Sequence, residues 1–270
     1  MTTKPPISLK RRDQFLILSS LSLLAGLAWV YLLGLDAGMV IMGGSTEAMG
    51  TTMGIKPWTP ADFAMMFLMW AIMMVGMMVP SAMRAVMIFA GIARKAADNG
   101  RSFASANFFI AGYIVIWSGF SAVATLLQWG LEHFSLLSPM MVLLSPQLGA
   151  ALLFAAGLYQ ISPLKDVCLR HCQSPAHFIA QHFKGGNASA FNLGIKHGLY
   201  CLGCCWVLMG LLFVGGVMNL VWILAITLFV LIEKLLPQRL QIARVSGGLM
   251  IATALVFIMA EYFPYRFLGL

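Results

Sequence analysis

Asp62-Phe-Ala-Met-Met-Phe-Leu-Met-Trp-Ala-Ile-Met-Met-Val-Gly-Met-Met-Val-Pro-Ser-Ala-Met83 carries no charge after its first residue. A helix needs about 20 apolar residues to cross a bilayer, so this stretch predicts a transmembrane span. The pattern recurs along the chain. Apolar runs at 14–35, 62–83, 105–130, 147–164, 192–214, 217–235 and 245–263 predict seven spans in a single all-α membrane domain, residues 14–263. Residues 1–13 and 264–270 are left as tails. Lys10-Arg11-Arg12 precedes the first run as it would a signal peptide. The run is long for an h-region, however, and no small-x-small cleavage pattern follows, so it reads as a retained anchor.

Composition agrees. The chain has 270 residues, 60% hydrophobic and 10% charged, where a soluble domain is about 25% charged. Basic residues set the orientation. With the N-terminus inside, Lys4, Lys10, Arg11, Arg12, Arg84, Arg94, Lys95, Arg101, Lys165, Arg170, Lys184, Lys196, Lys234, Arg239 and Arg244 fall on the cytoplasmic side, 15 of the 17 Lys and Arg. Only Lys56 and Arg266 face out, so the C-terminus is expected outside. The net charge of +8 lies in short loops between spans, which points away from nucleic acid as a partner and leaves membrane lipid. No Walker loop, dinucleotide fingerprint or His-Glu-x-x-His motif is present, no internal repeat is visible, and nothing specifies an enzyme.

His197-Gly-Leu-Tyr-Cys201-Leu-Gly-Cys204-Cys205 places an imidazole and three thiols in the fifth span. At 100° per residue, Cys201 lies about 40°, Cys204 about −20° and Cys205 about 80° round from His197. The four share one face. Polar residues inside a membrane suggest function by default, and thiolate with imidazole suits Cu(I), Zn or an iron–sulfur cluster. Buried Cys also serves as a small packing residue, and Gly198 and Gly203 favour close helix approach.

Methionine is the compositional outlier, with 20 residues, 13 of them between Met39 and Met87. Met65, Met66, Met69, Met73 and Met77 form a stripe on the second span, flanked by Met74 and Met78, with Asp62 at its start and Arg84 beyond it. Thioethers hold Cu(I) without burying a charge and bind Zn poorly, so Cu(I) is the favoured ion and Zn the alternative. The candidate metal ligands are Met66, Met69, Met73, Met77, His197, Cys201, Cys204, Cys205, Cys168 and Cys172. The last two come from Cys168-Leu-Arg-His171-Cys172, in a basic cytoplasmic loop that also holds His177 and His182. Outside, Met39, Met42, Met49 and Met53 lie in a Gly/Ser/Thr-rich loop that offers further soft donors. Glu233-Lys234 reads as a snorkelling pair at the cytoplasmic interface, Pro80 as a kink, and Gly215-Gly216 with Asn219 as a tight turn.

Three runs carry a family resemblance: Met69 to Ser81, Tyr159 to Pro175 and His197 to Met209. They resemble the predicted metal-binding integral membrane proteins of bacteria, a domain of unknown function. The resemblance continues through Gly215–Trp222 and Leu231–Pro237 and covers roughly residues 60–260. It implies a multi-pass protein of the bacterial inner membrane that binds metal through the Met set, Cys168, Cys172, His197, Cys201, Cys204 and Cys205. It names neither the metal nor a direction of movement. His177, His182 and the outer Met loop rest on chemistry alone. The expected function is Cu(I) handling, by transport or by delivery to a cuproenzyme, with a soluble metallochaperone or the cuproenzyme as partner. A membrane thiol redox relay and a subunit whose Cys and Met only pack are the alternatives.

Overall fold

The computed structural model describes residues 11–47, 58–100, 102–138, 141–236 and 242–262. Among them there is no strand, only an isolated bridge between Leu137 and Leu143. The helices are α1 (Arg11–Glu47), α2 (Pro60–Asp98), α3 (Ala106–His133), α4 (Pro146–Gln160), α5 (Pro163–Gln173), α6 (Pro175–His182), α7 (Gly186–Gly210), the short α8 (Leu212–Gly215), α9 (Leu220–Leu235) and α10 (Ile242–Tyr262). The expected all-α architecture holds. Among the described residues five helical stretches are long and apolar enough to cross a membrane: Arg11–Leu35, Pro60–Asp98, Ala106–His133, Gly186–Gly215 and Ile242–Met259. The fourth expected span divides, because α4 ends at Gln160 and α5 departs at 64°. Counted as one broken span, this pair makes a sixth. The 16 residues of α9 match the expected run at 217–235 but are shorter than a full bilayer crossing.

Two compact units share the chain, and α7 passes from one to the other after Leu202. The first comprises residues up to Leu35, Trp58–Thr125 and Leu169–Leu202. Its longest helix, α2, starts at a capping box. Thr59 Oγ1 accepts from the Asp62 amide, and Asp62 Oδ2 accepts from the Thr59 amide at 2.7 Å, satisfying two orphan donors reciprocally. Asp62 is therefore committed to the helix terminus rather than to the Met stripe. The helix runs on through Pro80 to Asp98, well past the expected end at Met83. Its extension beyond Met83 packs Val86, Phe89 and Ala93 with Phe109, Phe178, Ile179 and Phe183, the core of this unit. Phe89 stacks on Phe109 at 4.8 Å and meets Phe183 edge-on. Arg94 pairs with Asp13, tying α1 to α2.

Backbone contact joins α3 to α7. A Cβ at Gly112 would stand 2.2 Å from the Phe191 carbonyl, and one at Gly194 would stand 2.0 Å from the Phe109 carbonyl. A Cβ at Gly198 would press Ile116 at 3.0 Å. Gly194 and Gly198 are spaced as small residues are in close-packed membrane helices.

The second unit comprises Asp36–Pro57, Leu126–Cys168 and Gly203–Leu270. Here α4 and α10 touch through glycines. A Cβ at Gly157 would lie 2.8 Å from the Gly247 carbonyl, and one at Gly247 would lie 2.9 Å from the Gly157 carbonyl. The expected turn before α9 is present. Gly216 has φ +96°, and Asn219 Oδ1 caps the helix by accepting from the Trp222 amide at 3.1 Å.

Glu233 and Lys234 depart from the sequence expectation. Both are buried. Lys165, fully buried, donates to Glu233 at 2.7 and 3.0 Å and to Gln160 Oε1. Gln160 Nε2 donates to Glu233 at 2.5 Å and to Ser246 at 3.0 Å. The three ammonium hydrogens thus find acceptors, and the network ties α4, α5, α9 and α10 at the bend. Removing one partner of a buried pair typically costs roughly 3–5 kcal/mol, whereas replacing both by apolar groups is often neutral. Lys165→Met or Glu233→Leu alone should therefore lower the unfolding temperature of the detergent-purified protein markedly. The double variant should regain most of the loss in the same thermal scan.

Candidate metal centre

The Met stripe is an inward face of α2. Met69, Met73, Met74, Met77 and Met78 are buried and Met66 is half-buried, whereas Met65 is 67% exposed and points away. In the same unit His197 and Cys201 are buried on α7. Phe109 and Tyr113 of α3 hold the imidazole between them, at ring separations of 5.7 and 5.9 Å.

Tyr113 links the Met helix to the thiol helix. Its hydroxyl donates to the Met78 carbonyl at 3.1 Å and makes a second hydrogen bond with Cys201 Sγ at 3.0 Å. The backbone of α2 at Met78 and the Cys201 thiol of α7 thus share one buried hydroxyl. Cys172 is half-buried in this unit, and the neighbouring His171 lies flat on Tyr200 at 4.1 Å. His177 and His182 lie on the exposed side of α6, and His182 Nδ1 bonds the Phe178 carbonyl at 2.9 Å.

The second unit holds Cys168, Cys204 and Cys205. A Cβ at Gly203 would lie 2.8 Å from Cys168 Sγ, so the Cys168 thiol seats directly in the notch that glycine leaves on α7. Tyr159, near Cys168, Cys204 and Cys205, donates its hydroxyl to the Gly203 carbonyl and meets Trp206 edge-on at 5.7 Å. The loop expected around Cys168 is instead the helix α5. All five cysteines are thiols.

Among the described residues no group of three or more His, Cys, Asp or Glu side chains is placed to hold a metal ion. A closed tetrahedral cage of the structural zinc kind is thus not preformed there. The remaining soft donors are thioethers, which together with thiols and imidazole suit Cu(I). Met49 and Met53 of the expected outer loop lie outside the described residues, as do the side chains of Met39 and Met42.

Fold and side chains together define a class: an all-helical protein with apolar helices of membrane-crossing length and buried sulfur side chains. The model of the PpoB2 copper chaperone family matches residues 67–257, well over half of the chain. The chain belongs to that family. No curated protein and no solved structure matches it.

Sequence reasoning left out Tyr113 and Gly194. The glycine was findable, since Gly194-x₃-Gly198 is a small-residue spacing that marks close helix contact. The tyrosine was not, because a hydroxyl within an apolar run has no periodic signature. The glycine contact has a direct consequence for the donors. Gly194→Ala must push α7 off α3, overpacking that typically costs about 1–3 kcal/mol. We expect a lower unfolding temperature and faster alkylation of Cys201, read by mass spectrometry of labelled peptides.

Proposed function

We propose that this protein handles Cu(I) within the bacterial inner membrane. In this reading it crosses seven times, with the N-terminus inside and the C-terminus outside. It takes up Cu(I) through Met66, Met69, Met73 and Met77 together with His197, Cys201, Cys204, Cys205, Cys168 and Cys172. It then passes the ion across the membrane or to a cuproenzyme, directly or with a soluble metallochaperone.

The observation that carries the reading is the burial of the thioether face of α2 in the same unit as His197 and Cys201, with Tyr113 touching both helices. Membership of the copper chaperone family supports it. Burying neutral thioethers avoids the desolvation penalty of carboxylates, and soft donors select Cu(I) over harder ions. The chain carries no nucleotide-binding loop, so any movement of copper would follow a gradient or a partner.

A thiol-exchange reading has one observation in its favour, the seating of Cys168 in the notch at Gly203, which precedes Cys204 in the chain. It predicts that Cys168 reacts with maleimide only after reduction. The copper reading predicts instead that bound Cu(I) shields Cys201, Cys204 and Cys205 from alkylation.

The test is metal content after anaerobic loading of the detergent-purified protein with Cu(I) or Zn(II). We expect about one or more Cu per chain, consistent with the soft donor set, and loss of that copper when Cys201, Cys204 and Cys205 are all changed to Ser. Equal copper in the triple variant would remove the thiols from the site. Met73→Leu with Met77→Leu keeps side-chain volume and removes sulfur. It should weaken Cu(I) binding without lowering the unfolding temperature by more than a few degrees. Undiminished copper affinity in that variant would remove the thioethers.

A further inference from the structure

The Tyr113 hydroxyl has one proton, and two of its partners differ in kind. The Met78 carbonyl can only accept, at 3.1 Å. Cys201 Sγ, at 3.0 Å, accepts or donates according to its state. In the thiol state both bonds are made if Cys201 S–H donates to the Tyr113 oxygen while Tyr113 O–H donates to Met78. The ring itself is 1% exposed and packed against His197 and Trp117, so rotation of the hydroxyl is the freedom it retains.

We propose that Tyr113 is a positioning residue of the copper site, a donor that turns from the Met78 carbonyl to the Cys201 sulfur when Cu(I) takes that sulfur as ligand. The proposal rests on the reading of Cys201 as a Cu(I) ligand. On uptake the Cys201 S–H bond breaks and an S–Cu bond forms. The proton passes to the base or thiolate that releases Cu(I), and copper stays Cu(I) throughout. The sulfur is then only an acceptor, and Tyr113 O–H turns to it. Met78 is not stranded by this exchange, because Ser81 Oγ donates to the same carbonyl at 2.8 Å. Both states therefore keep buried polar groups satisfied, which spares the cost of an orphaned acceptor. A hydrogen bond to an anionic sulfur is also stronger than one between neutral groups, so the arrangement favours the loaded state.

The test uses the full chain in detergent. Cu(I) affinity is read by competition with a chromogenic Cu(I) chelator, alongside the near-ultraviolet thiolate-to-Cu(I) absorption and thermal unfolding. Tyr113→Phe keeps the ring and removes the hydroxyl. Residues that orient metal ligands typically contribute 10–100-fold in affinity, so about a ten-fold loss or more is expected, with a shifted absorption band and an unchanged fold. Ser81→Ala supplies the second variant, since Met78 then holds the Tyr113 hydroxyl and competes with the sulfur. It should weaken Cu(I) binding by a smaller factor, and should add nothing in the Tyr113→Phe background. Cys201→Ser is the control. If it loses copper while Tyr113→Phe and Ser81→Ala bind as the parent does, the Tyr113 proposal is overturned and the copper site stands. If Cys201→Ser binds copper as the parent does, both are overturned. Should Tyr113→Phe fail to fold, unaltered affinity in Ser81→Ala alone overturns the proposal.

Discussion

The approach of α3 to α7 is the constraint on which the donor region of the first unit depends. Gly112 and Gly194 each present bare backbone to a carbonyl of the other helix, closer than any side chain would permit. In an apolar medium helices gain little from hydrophobic association, so close van der Waals contact and weak Cα–H···O bonds must hold them together. At this separation Tyr113 reaches across to the Cys201 sulfur, and Phe109 and Tyr113 pack on the His197 ring. A wider gap would leave the thiol without its hydroxyl partner and admit other groups beside the imidazole. Two glycines thus set the geometry of side chains that lie one to seven residues away from them along the chain.

The polar groups of the two units meet the cost of burial in different ways. In the first, the buried face of α2 is made of thioethers, which carry no charge and need no counter-ion. Asp62, the carboxylate that begins the stripe, is spent at the helix terminus. In the second, three charged side chains are buried, Lys165, Glu233 and Lys234. Lys165 and Glu233 are tolerated because each donor and acceptor is matched, with Gln160 and Ser246 completing the set. The first solution keeps the buried sulfur side chains neutral. The second uses its charges up in holding helices together at a bend, which is why this network is assigned to architecture and not to metal.

Much of this was legible in the chain. The all-α class follows from the length of the apolar runs, and the buried face of α2 follows from the spacing of Met69, Met73 and Met77. What the sequence hid has physical causes. The extension of α2 to Asp98 is packed by Phe178, Ile179 and Phe183, residues far along the chain that no local window connects with it. Glu233-Lys234 reads as an interface pair because its partner, Lys165, lies 68 residues away from Glu233. The break between α4 and α5 falls just before Pro163, the first residue of α5, and a proline that stops one helix and opens the next is a local signal hidden only by the apolar run around it. The capping box at Thr59-Pro60-Ala61-Asp62 follows a local rule and was readable.

The donor set also bears on how a copper carrier must work. Thiols, imidazoles and carboxylates do not converge in threes among the described residues, so a rigid cage of those ligands is not what this chain builds there. A carrier has reason to avoid one. An ion that must be handed on needs binding favourable enough for entry and weak enough for exit, the same requirement that governs conduction through multi-site pores. On the proposed reading, neutral thioethers supply weak, repeated contacts along α2, while a thiolate supplies the stronger point of capture. The Tyr113 hydroxyl then matters because it acts on that stronger point alone. It raises the hold on the loaded sulfur without adding a charge, and it returns to the Met78 carbonyl when copper leaves. Selectivity would come from sulfur and release from the scarcity of strong ligands, both consequences of building the site in a medium that penalises buried charge.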